Sequence, residues 1–310
     1  MPGSRTGVTV RVPAKINLEL SVGGPRPDGF HELATVFHAV SLFDEVTAFP
    51  SDQVGVSVAG PQADLVPDDA SNLAVRAALL LARHTGVTDG VHLHIRKGIP
   101  VAGGMAGGSA DAAGALLACD ALWRTGLSRD DLRVLAADLG SDVPFGLLGG
   151  TAIGTGRGER LTPALARGSF HWVVALSAGG LATPAVYREI DRLRAGRVLP
   201  EPRVSDRLMQ ALRSGDARAL GAALSNDLQP AALSLDPHLD RTLAVGLDSG
   251  ALGGLVSGSG PTVVFLVEGQ EQALDLSVAL AATGVAADVR RAHGPVPGAK
   301  VVDGSPVTRL

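Results

Sequence analysis

Ile99-Pro100-Val101-Ala102-Gly103-Gly104-Met105-Ala106-Gly107-Gly108-Ser109-Ala110-Asp111 is the stretch on which the reading of this chain turns. A strand-like segment, Val91 to Lys97, precedes it, and an alanine-rich helical segment, Ala110 to Trp123, follows. Glycines let a backbone approach a ligand and turn its N–H groups inward. The helix that starts here adds its positive end, which attracts anions. The run reads as a phosphate cradle. Two other readings stay open: a plain structural turn, and a dinucleotide fingerprint, which Ala102-x-Gly104-x-x-Gly107 weakly echoes. That fingerprint needs a strand running straight into its first glycine, and an acidic residue ending a second strand about 20 residues on. Here Pro100 intervenes, and the next segment, Asp130–Leu139, is helical instead. No Gly-Lys-Ser or Gly-Lys-Thr closes the loop, so it is not a Walker loop. Any lysine for phosphate chemistry must come from elsewhere in the chain.

Bulk composition narrows the class. The 310 residues suffice for two domains or one large one, and 45% apolar content suits a packed core. A net charge of −4 and 3% aromatic residues argue against a nucleic-acid binder, which needs a basic face and stacking platforms. No stretch of about 20 apolar residues free of breakers suggests a membrane span. Met1-Pro2-Gly3-Ser4-Arg5 lacks the apolar core of a signal peptide, and Cys119 is the single cysteine, so a cytoplasmic protein without disulfides is expected. Among 27 basic residues only Lys15, Lys97 and Lys300 are lysine. Each therefore merits a question, because an ammonium and a guanidinium do different chemistry.

Periodicity supplies the elements around the loop. Val8, Val10 and Val12 alternate as in a strand. Pro13-Ala14 interrupts, and alternation returns at Ile16, Leu18 and Leu20, which places Lys15, Asn17 and Glu19 together on the opposite face. Strands are expected at Leu33–Val40, Glu45–Ala48, Val54–Val58 and Val91–Ile95, and helices at Asn72–Arg83 and from Ser128, as N-cap, to Leu139. Gly140–Gly158 predicts a short helix and a hairpin. After a connector at Pro163–Gly168, Trp172–Leu176 starts a second alternating region. Thr183-Pro184 opens a capped helix over Ala185–Leu193. Further helices are expected near Val204–Leu212, Ala217–Leu224, Pro237–Leu247 and Gln270–Thr283, with strands at Val263–Val267 and Ala286–Arg291. Leu255–Gly260 reads as a turn, and the tail after His293 has poor periodicity.

Several residues carry two readings. Lys15 and Asn17 are either a solvated strand face or, in so lysine-poor a chain, a charge that offsets a phosphoryl transition state. Asp142 either caps the short helix that follows it or takes a proton from an attacking hydroxyl. Gly258-Ser259-Gly260-Pro261-Thr262 is either a tight turn or a second close approach to phosphates. Phe30-His31 is either core packing or part of a site. His92 and His94 share a strand face, but no third ligand is spaced to complete a metal site, so a surface pair is expected.

Taken in order, Pro13-Ala14-Lys15-Ile16-Asn17-Leu18, the loop from Pro100 to Ala110, and Val256-Ser257-Gly258-Ser259-Gly260-Pro261-Thr262 resemble the three motifs of the GHMP superfamily of small-molecule kinases. Together they span nearly the whole chain. Arg26-Pro27-Asp28-Gly29-Phe30-His31-Glu32-Leu33, Gly140-Ser141-Asp142-Val143-Pro144-Phe145, Thr183-Pro184-Ala185-Val186-Tyr187 and Ser225-Asn226-Asp227-Leu228 bring the resemblance closer to a branch whose small-molecule substrate carries a cytidine diphosphate moiety.

The resemblance implies an α+β fold in two domains. Residues 1–165 would be an α/β domain of ribosomal-protein type that binds ATP, and residues 166–310 a ferredoxin-like domain that completes the cleft. It implies Lys15 and Asp142 as the catalytic pair, and Asn17, Phe30, His31, Thr183 and Tyr187 as substrate-binding residues. Phe30 and Tyr187 would stack on cytosine while His31 reads its edge. Pro100, Val101, Ala102, Gly103, Gly104, Met105, Ala106, Gly107, Gly108, Ser109 and Ala110 would wrap the ATP phosphates, with Ser109 a candidate contact for Mg²⁺ or the β-phosphate. No acidic Mg²⁺ ligand can be placed. Rival readings are a kinase of the same superfamily for another alcohol and a catalytically silent nucleotide sensor. Two departures stand out. Gly104-Met105-Ala106 replaces the usual Gly-Leu-Gly, so a positive φ at Ala106 would cost about 1 kcal/mol. Phe30 replaces a usual tyrosine.

Overall fold

The computed structural model describes residues 7–302, so the expectation drawn from Met1–Arg5 and the last residues of the tail lie outside it. The first half of the chain runs β1 (Val8–Pro25), β2 (His31–Ser51), β3 (Gly55–Ala59), α1 (Leu73–Thr85), β4 (Gly90–Arg96), α2 (Gly107–Trp123), α3 (Arg129–Leu139), α4 (Val143–Leu148), β5 (Thr151–Gly156) and β6 (Arg160–Pro163). The second half runs β7 (Phe170–Leu176), α5 (Thr183–Leu193), α6 (Asp206–Ser214), α7 (Ala217–Gly221), β8 (Ser225–Asn226), α8 (Gln229–Leu235), α9 (His238–Asp248), β9 (Gly253–Val256), β10 (Val263–Val267), α10 (Gln270–Thr283), β11 (Asp288–Gly294) and β12 (Lys300–Val302).

β1 is one strand, not two. Val10, Val12, Ala14, Ile16 and Leu18 stay in one phase and are fully buried, so Pro13 does not break the alternation. The irregularity falls instead on the partner strand: Pro13 faces Phe43 and Ala14 faces Val40, which leaves Ser41-Leu42 as a bulge in β2. β2 is likewise a single strand, joining the two predicted separately.

The first sheet follows the order β12-β1-β2-β4-β3, with β5 and β6 continuing from β2 and β8 running parallel to β1. α2 lies against β1 and β2 beneath α1, α3 and α4, and every residue from Ala110 to Cys119 is buried. A helix apolar all round belongs in a core, and small residues let its neighbours approach. A Cβ on Gly114 would stand 2.8 Å from Val46, and one on Gly146 2.8 Å from Ala113. Ser128 caps α3 in a reciprocal capping box with Asp131.

The second sheet is antiparallel in the order β11-β7-β10-β9. Strand, helix, two strands, helix and strand in that spatial order form the ferredoxin-like arrangement. Val173, Ala175, Val263 and Phe265 pack on α9 and α10. The alternate residues Trp172, Val174, Val264 and Leu266 join the main core, which runs unbroken from one half of the chain into the other.

Four details differ from the sequence reading. The aperiodic tail contains β12, whose Lys300, Val301 and Val302 pair antiparallel with Arg11, Val10 and Thr9. Gln229–Leu235 is helical, and Leu255-Val256 ends a strand, so the turn is confined to 257–261. Thr183 does not cap α5: the N-cap is Ala182, with no side-chain bond, and Pro184 fills the first turn. Among the described residues no helix is long and apolar enough to cross a membrane.

His38 sits where the two sheets meet, its Nδ1 bonded to Thr151 Oγ1 at 2.9 Å and its ring beside Phe170 and Trp172. Complete burial lowers its pKa to about 3. The unfolded chain therefore takes up a proton below pH ~6.5 that the folded chain refuses, so this contribution is present above that pH and lost as pH falls. Stability should drop by about 1.4 kcal/mol per pH unit below ~6.5 from this group. Urea midpoints at pH 7 and pH 5 measure it, and equal midpoints would contradict the burial.

Candidate active site

The polar face of β1 is not solvated. Lys15, Asn17 and Glu19 are all buried, and their side chains are tied into a network. Lys15 Nζ donates to Asn17 Oδ1 at 2.8 Å, Asn17 Nδ2 donates to Thr35 Oγ1 at 2.8 Å, and Thr35 donates to the Glu19 carbonyl at 2.7 Å. Glu19 turns away to accept from the backbone and hydroxyl of Ser205, its pKa raised by burial. Lys15 also lies over the Phe37 ring, 5.3 Å from its centroid.

Asp142 meets this face from the opposite wall, its Oδ2 3.4 Å from Lys15 Nζ. It occupies the N-cap position of α4 but makes no capping bond. The bland reading of Asp142 thus fails, and its carboxylate, one-third exposed, faces the ammonium across the cleft.

The glycine-rich loop closes one end. Its backbone is left-handed at Ala102 (φ 55°), Gly104 (φ 71°) and Ala106 (φ 59°). Ala102, Gly103, Gly104, Ala106, Gly107 and Gly108 line the cleft. Met105 and Ala110 do not, being buried in the core, and Pro100, Val101 and Ser109 are also absent from its wall. Met105 is a plug: 1% exposed, it anchors the loop from below while its carbonyl accepts from the Lys15 N–H at 3.3 Å.

The turn at 257–261 packs directly on this loop. A Cβ at Gly104 would lie 2.5 Å from the Ser257 carbonyl oxygen, and one at Gly258 3.4 Å from Asn17 Oδ1. The first approach excludes any side chain at Gly104, and at Gly258 the positive φ of 57° favours glycine. Asn226, on β8, latches the turn by donating to the carbonyls of Val256 and Gly258, each at 2.7 Å. The hydroxyls of Ser259 and Thr183 meet at 2.9 Å, which is what occupies Thr183 in place of a cap.

The far end of the cleft, whose volume is about 390 Å³, is apolar, walled by Leu20, Leu33, Leu181, Leu228 and Tyr187. Burial, and then the charge of Asp142, raises the Tyr187 pKa, so its hydroxyl keeps its proton. His31 stacks on Tyr187 at 4.8 Å, tilted by 38°. Phe30 stands just outside, 48% exposed, with the Arg157 guanidinium 4.9 Å from its ring centroid. Neither Phe30 nor His31 belongs to the cleft wall itself. Sequence reasoning missed Asp191, whose Oδ1 lies 2.9 Å from His31 Nε2 across 160 residues of chain. It missed Thr35, and the latch made by Asn226 within the quoted Ser225–Leu228 motif, for the same reason: each acts through a partner far away in sequence. His92 and His94 both bond Ser57 Oγ, at 3.0 Å each, as a strand-face pair.

Profiles of known families match on both sides of this cleft: GHMP kinases N terminal domain over residues 72–150, and GHMP kinases C terminal over residues 208–286. The chain belongs to the GHMP kinase family. It is an ATP-dependent phosphotransferase by that membership. A relative from Streptomyces avermitilis, named 4-diphosphocytidyl-2-C-methyl-D-erythritol kinase, is 60% identical and aligns over 95% of this chain and 99% of its own length. One of the same name from Thermobifida fusca is 60% identical over 96% and 99%. A crystal structure of 4-(cytidine 5′-diphospho)-2C-methyl-D-erythritol kinase superposes with a TM-score of 0.74 at 36% identity, covering 92% of this chain and 98% of that one. The mevalonate kinase of L. major, at 17% identity and a TM-score of 0.73 over 94% and 96%, shares the fold.

Ala106 is one of two alanines, with Ala102, at which this member's loop carries strain. Replacing it by glycine should stabilise the protein by about 1 kcal/mol, because an alanine at positive φ costs that much. The thermal midpoint should rise by roughly 1–2 °C. An unchanged or lower midpoint would show that the surroundings already absorb the strain.

Proposed function

We propose that this kinase transfers the γ-phosphoryl group of ATP to the 2-hydroxyl of 4-diphosphocytidyl-2-C-methyl-D-erythritol, a step of non-mevalonate isoprenoid synthesis in the cytoplasm. The observation that carries the reading is Lys15 and Asp142 facing each other at 3.4 Å between two glycine turns, in a chain 60% identical end to end to relatives of that name. Residues 1–165 supply the ATP side, and residues 166–310 most of the opposite wall.

The N–H groups of the loop and the N-terminus of α2 receive the phosphates. Mg²⁺, which usually keeps several waters and a few phosphate oxygens, needs little from the protein. Ser109, half-buried in the first turn of α2, is the oxygen donor the loop offers it. Among the described residues no cluster of three acidic, histidine or cysteine side chains is placed to hold a metal ion. When bound, the ion neutralises charge on the phosphates.

Asn17 and Lys15 fix the acceptor hydroxyl beside Asp142. Asp142 takes the proton as the oxygen–phosphorus bond forms and the bond to the β,γ-bridging oxygen breaks, leaving ADP and a phosphate ester. Aspartate is a weak base at neutral pH, but in a loose phosphoryl-transfer transition state orientation counts for more than basicity. Lys15, shielded from water, offsets the charge on the transferring group.

Phe30 and Tyr187 sandwich the cytosine, and His31 reads its edge. A carboxylate can only accept, so the hydrogen between His31 and Asp191 rides on Nε2. With Nε2 engaged by Asp191, Nδ1 is the ring atom left to read the base edge, and as an acceptor it suits the exocyclic amine of cytosine and not the carbonyl of uracil.

Purified protein with Mg²⁺-ATP should release ADP with this substrate, and cytidine nucleotides should compete better than uridine nucleotides. ADP release only with homoserine, mevalonate or a sugar would leave the family intact and overturn the substrate. Asp142→Asn should cut kcat by about 10²- to 10⁴-fold with little change in the KM for ATP. Near-normal turnover in that variant would remove Asp142 from the mechanism.

A further inference from the structure

Behind the phosphate loop lies a charged cluster that the reaction does not touch. Lys97 follows β4, Asp44 lies on β2 and Asp111 on the second turn of α2, and their side chains are 2%, 0% and 3% exposed. Lys97 Nζ donates to Asp44 Oδ2 at 2.5 Å and to Asp111 Oδ2 at 2.7 Å. Asp44 Oδ1 accepts from the N–H groups of Gly98 at 2.7 Å and Ile99 at 2.9 Å. Burial opposes the charge on Lys97, but the two carboxylates more than offset it and hold its pKa above the ordinary lysine value.

These bonds grip the loop at both ends. Gly98 and Ile99 are the last residues before it, and Asp111 belongs to the helix that leaves it. The ammonium sits directly under the start of that helix: a Cβ added to Gly107 would stand 3.3 Å from Lys97 Nζ. The span between, Pro100–Ala106, is pinned at Val101, Gly104 and Met105 but holds two alanines at positive φ, so keeping its shape also requires that its ends be held. Buried ion pairs are poor sources of stability, and apolar replacements of similar volume often do as well. A buried ammonium held between two buried carboxylates beneath an anion-binding loop, one of them, Asp111, with its pKa pushed up to about 8 by burial, calls for another role.

We infer that Lys97, bridging Asp44 and Asp111, is a positioning residue that clamps the two ends of the phosphate loop in the geometry that receives ATP. The inference rests on the reading of this loop as the ATP phosphate site. The Lys97 ammonium, enclosed by Asp44 and Asp111, acts by setting the distance between the strand end and the first turn of α2, whose N–H groups receive the phosphates.

Asp111→Ala tests it, because it cuts one arm of the clamp and leaves Lys97 and Asp44 as a balanced pair. The full-length variant should stay folded. Its KM for ATP should rise roughly tenfold to a hundredfold, the loss that one charge-assisted hydrogen bond represents, while the KM for the alcohol substrate stays unchanged. Asp111→Asn, whose amide oxygen can still accept from Lys97, should recover most of the loss. Should Asp111→Ala not fold, Asp111→Leu, which fills the space, takes its place. A KM for ATP within about twofold of wild type, a parallel rise in both KM values, or an asparagine variant no better than alanine would each overturn the clamp. Wild-type protein that binds no ATP would instead overturn the phosphate reading of the loop.

Discussion

The cleft depends on one contact: the backbone of Gly104 against the backbone of Ser257 and Gly260. A side chain at Gly104 would stand 2.5 Å from one carbonyl oxygen and 3.0 Å from the other, so the two turns meet with nothing between them. They come from opposite halves of the chain, and their approach defines where the two sheets stop. Asn226 holds the second turn from the far side, and Met105 holds the first from below. With both fixed, the space left over is the space bounded by Lys15, Asn17 and Asp142. The geometry of the proposed catalytic residues is thus set by backbone packing as well as by their own contacts.

Those side chains are expensive to bury, and the way the expense is met explains their order. Lys15 loses water but gains Asn17, Asp142 and the Phe37 face. Asn17 passes its remaining donor to Thr35, and Thr35 hands its proton to a backbone carbonyl of β1 itself. No polar atom of this row is left unsatisfied, so the row holds its shape before any ligand arrives. A preformed charge in a low-dielectric site is what stabilisation of a phosphoryl transition state requires.

Much of this was legible in the sequence because its signals are local. The glycine run, the capping box at Ser128 and Asp131, and the alternation along β1 each depend on residues within a few positions of one another. Lys15 drew notice through rarity, and the three motifs carried the fold through resemblance. What escaped was set by distant partners. Asp191 reads as an ordinary helix-surface carboxylate until His31 is beside it. Lys97 drew notice as one of three lysines, yet its two carboxylates lie 53 and 14 positions away. β12 has no period to betray it, since three residues at a sheet edge are too few. Thr183 before a proline has the pattern of a cap, and only the nearness of Ser259 reveals that its hydroxyl is used elsewhere.

The loop's two left-handed alanines connect these observations. A non-glycine residue at positive φ persists only where the surroundings over-determine it. Ala102 and Ala106 flank Met105, which the core grips, and the loop's ends are held by Asp44 and Asp111 through one ammonium. The strain is therefore imposed from four sides: the plug below, the glycine turn above, and an anchored strand and helix at the ends. Relaxing Ala106 with glycine would remove the cost but also one reason for the loop to keep a single shape. In the proposed role of a triphosphate cradle, a unique shape is worth more than the kilocalorie given up, because every N–H that must reorient on binding subtracts from affinity. The alanine at 106 is then consistent with a loop whose order is supplied by its surroundings rather than by its own backbone preference.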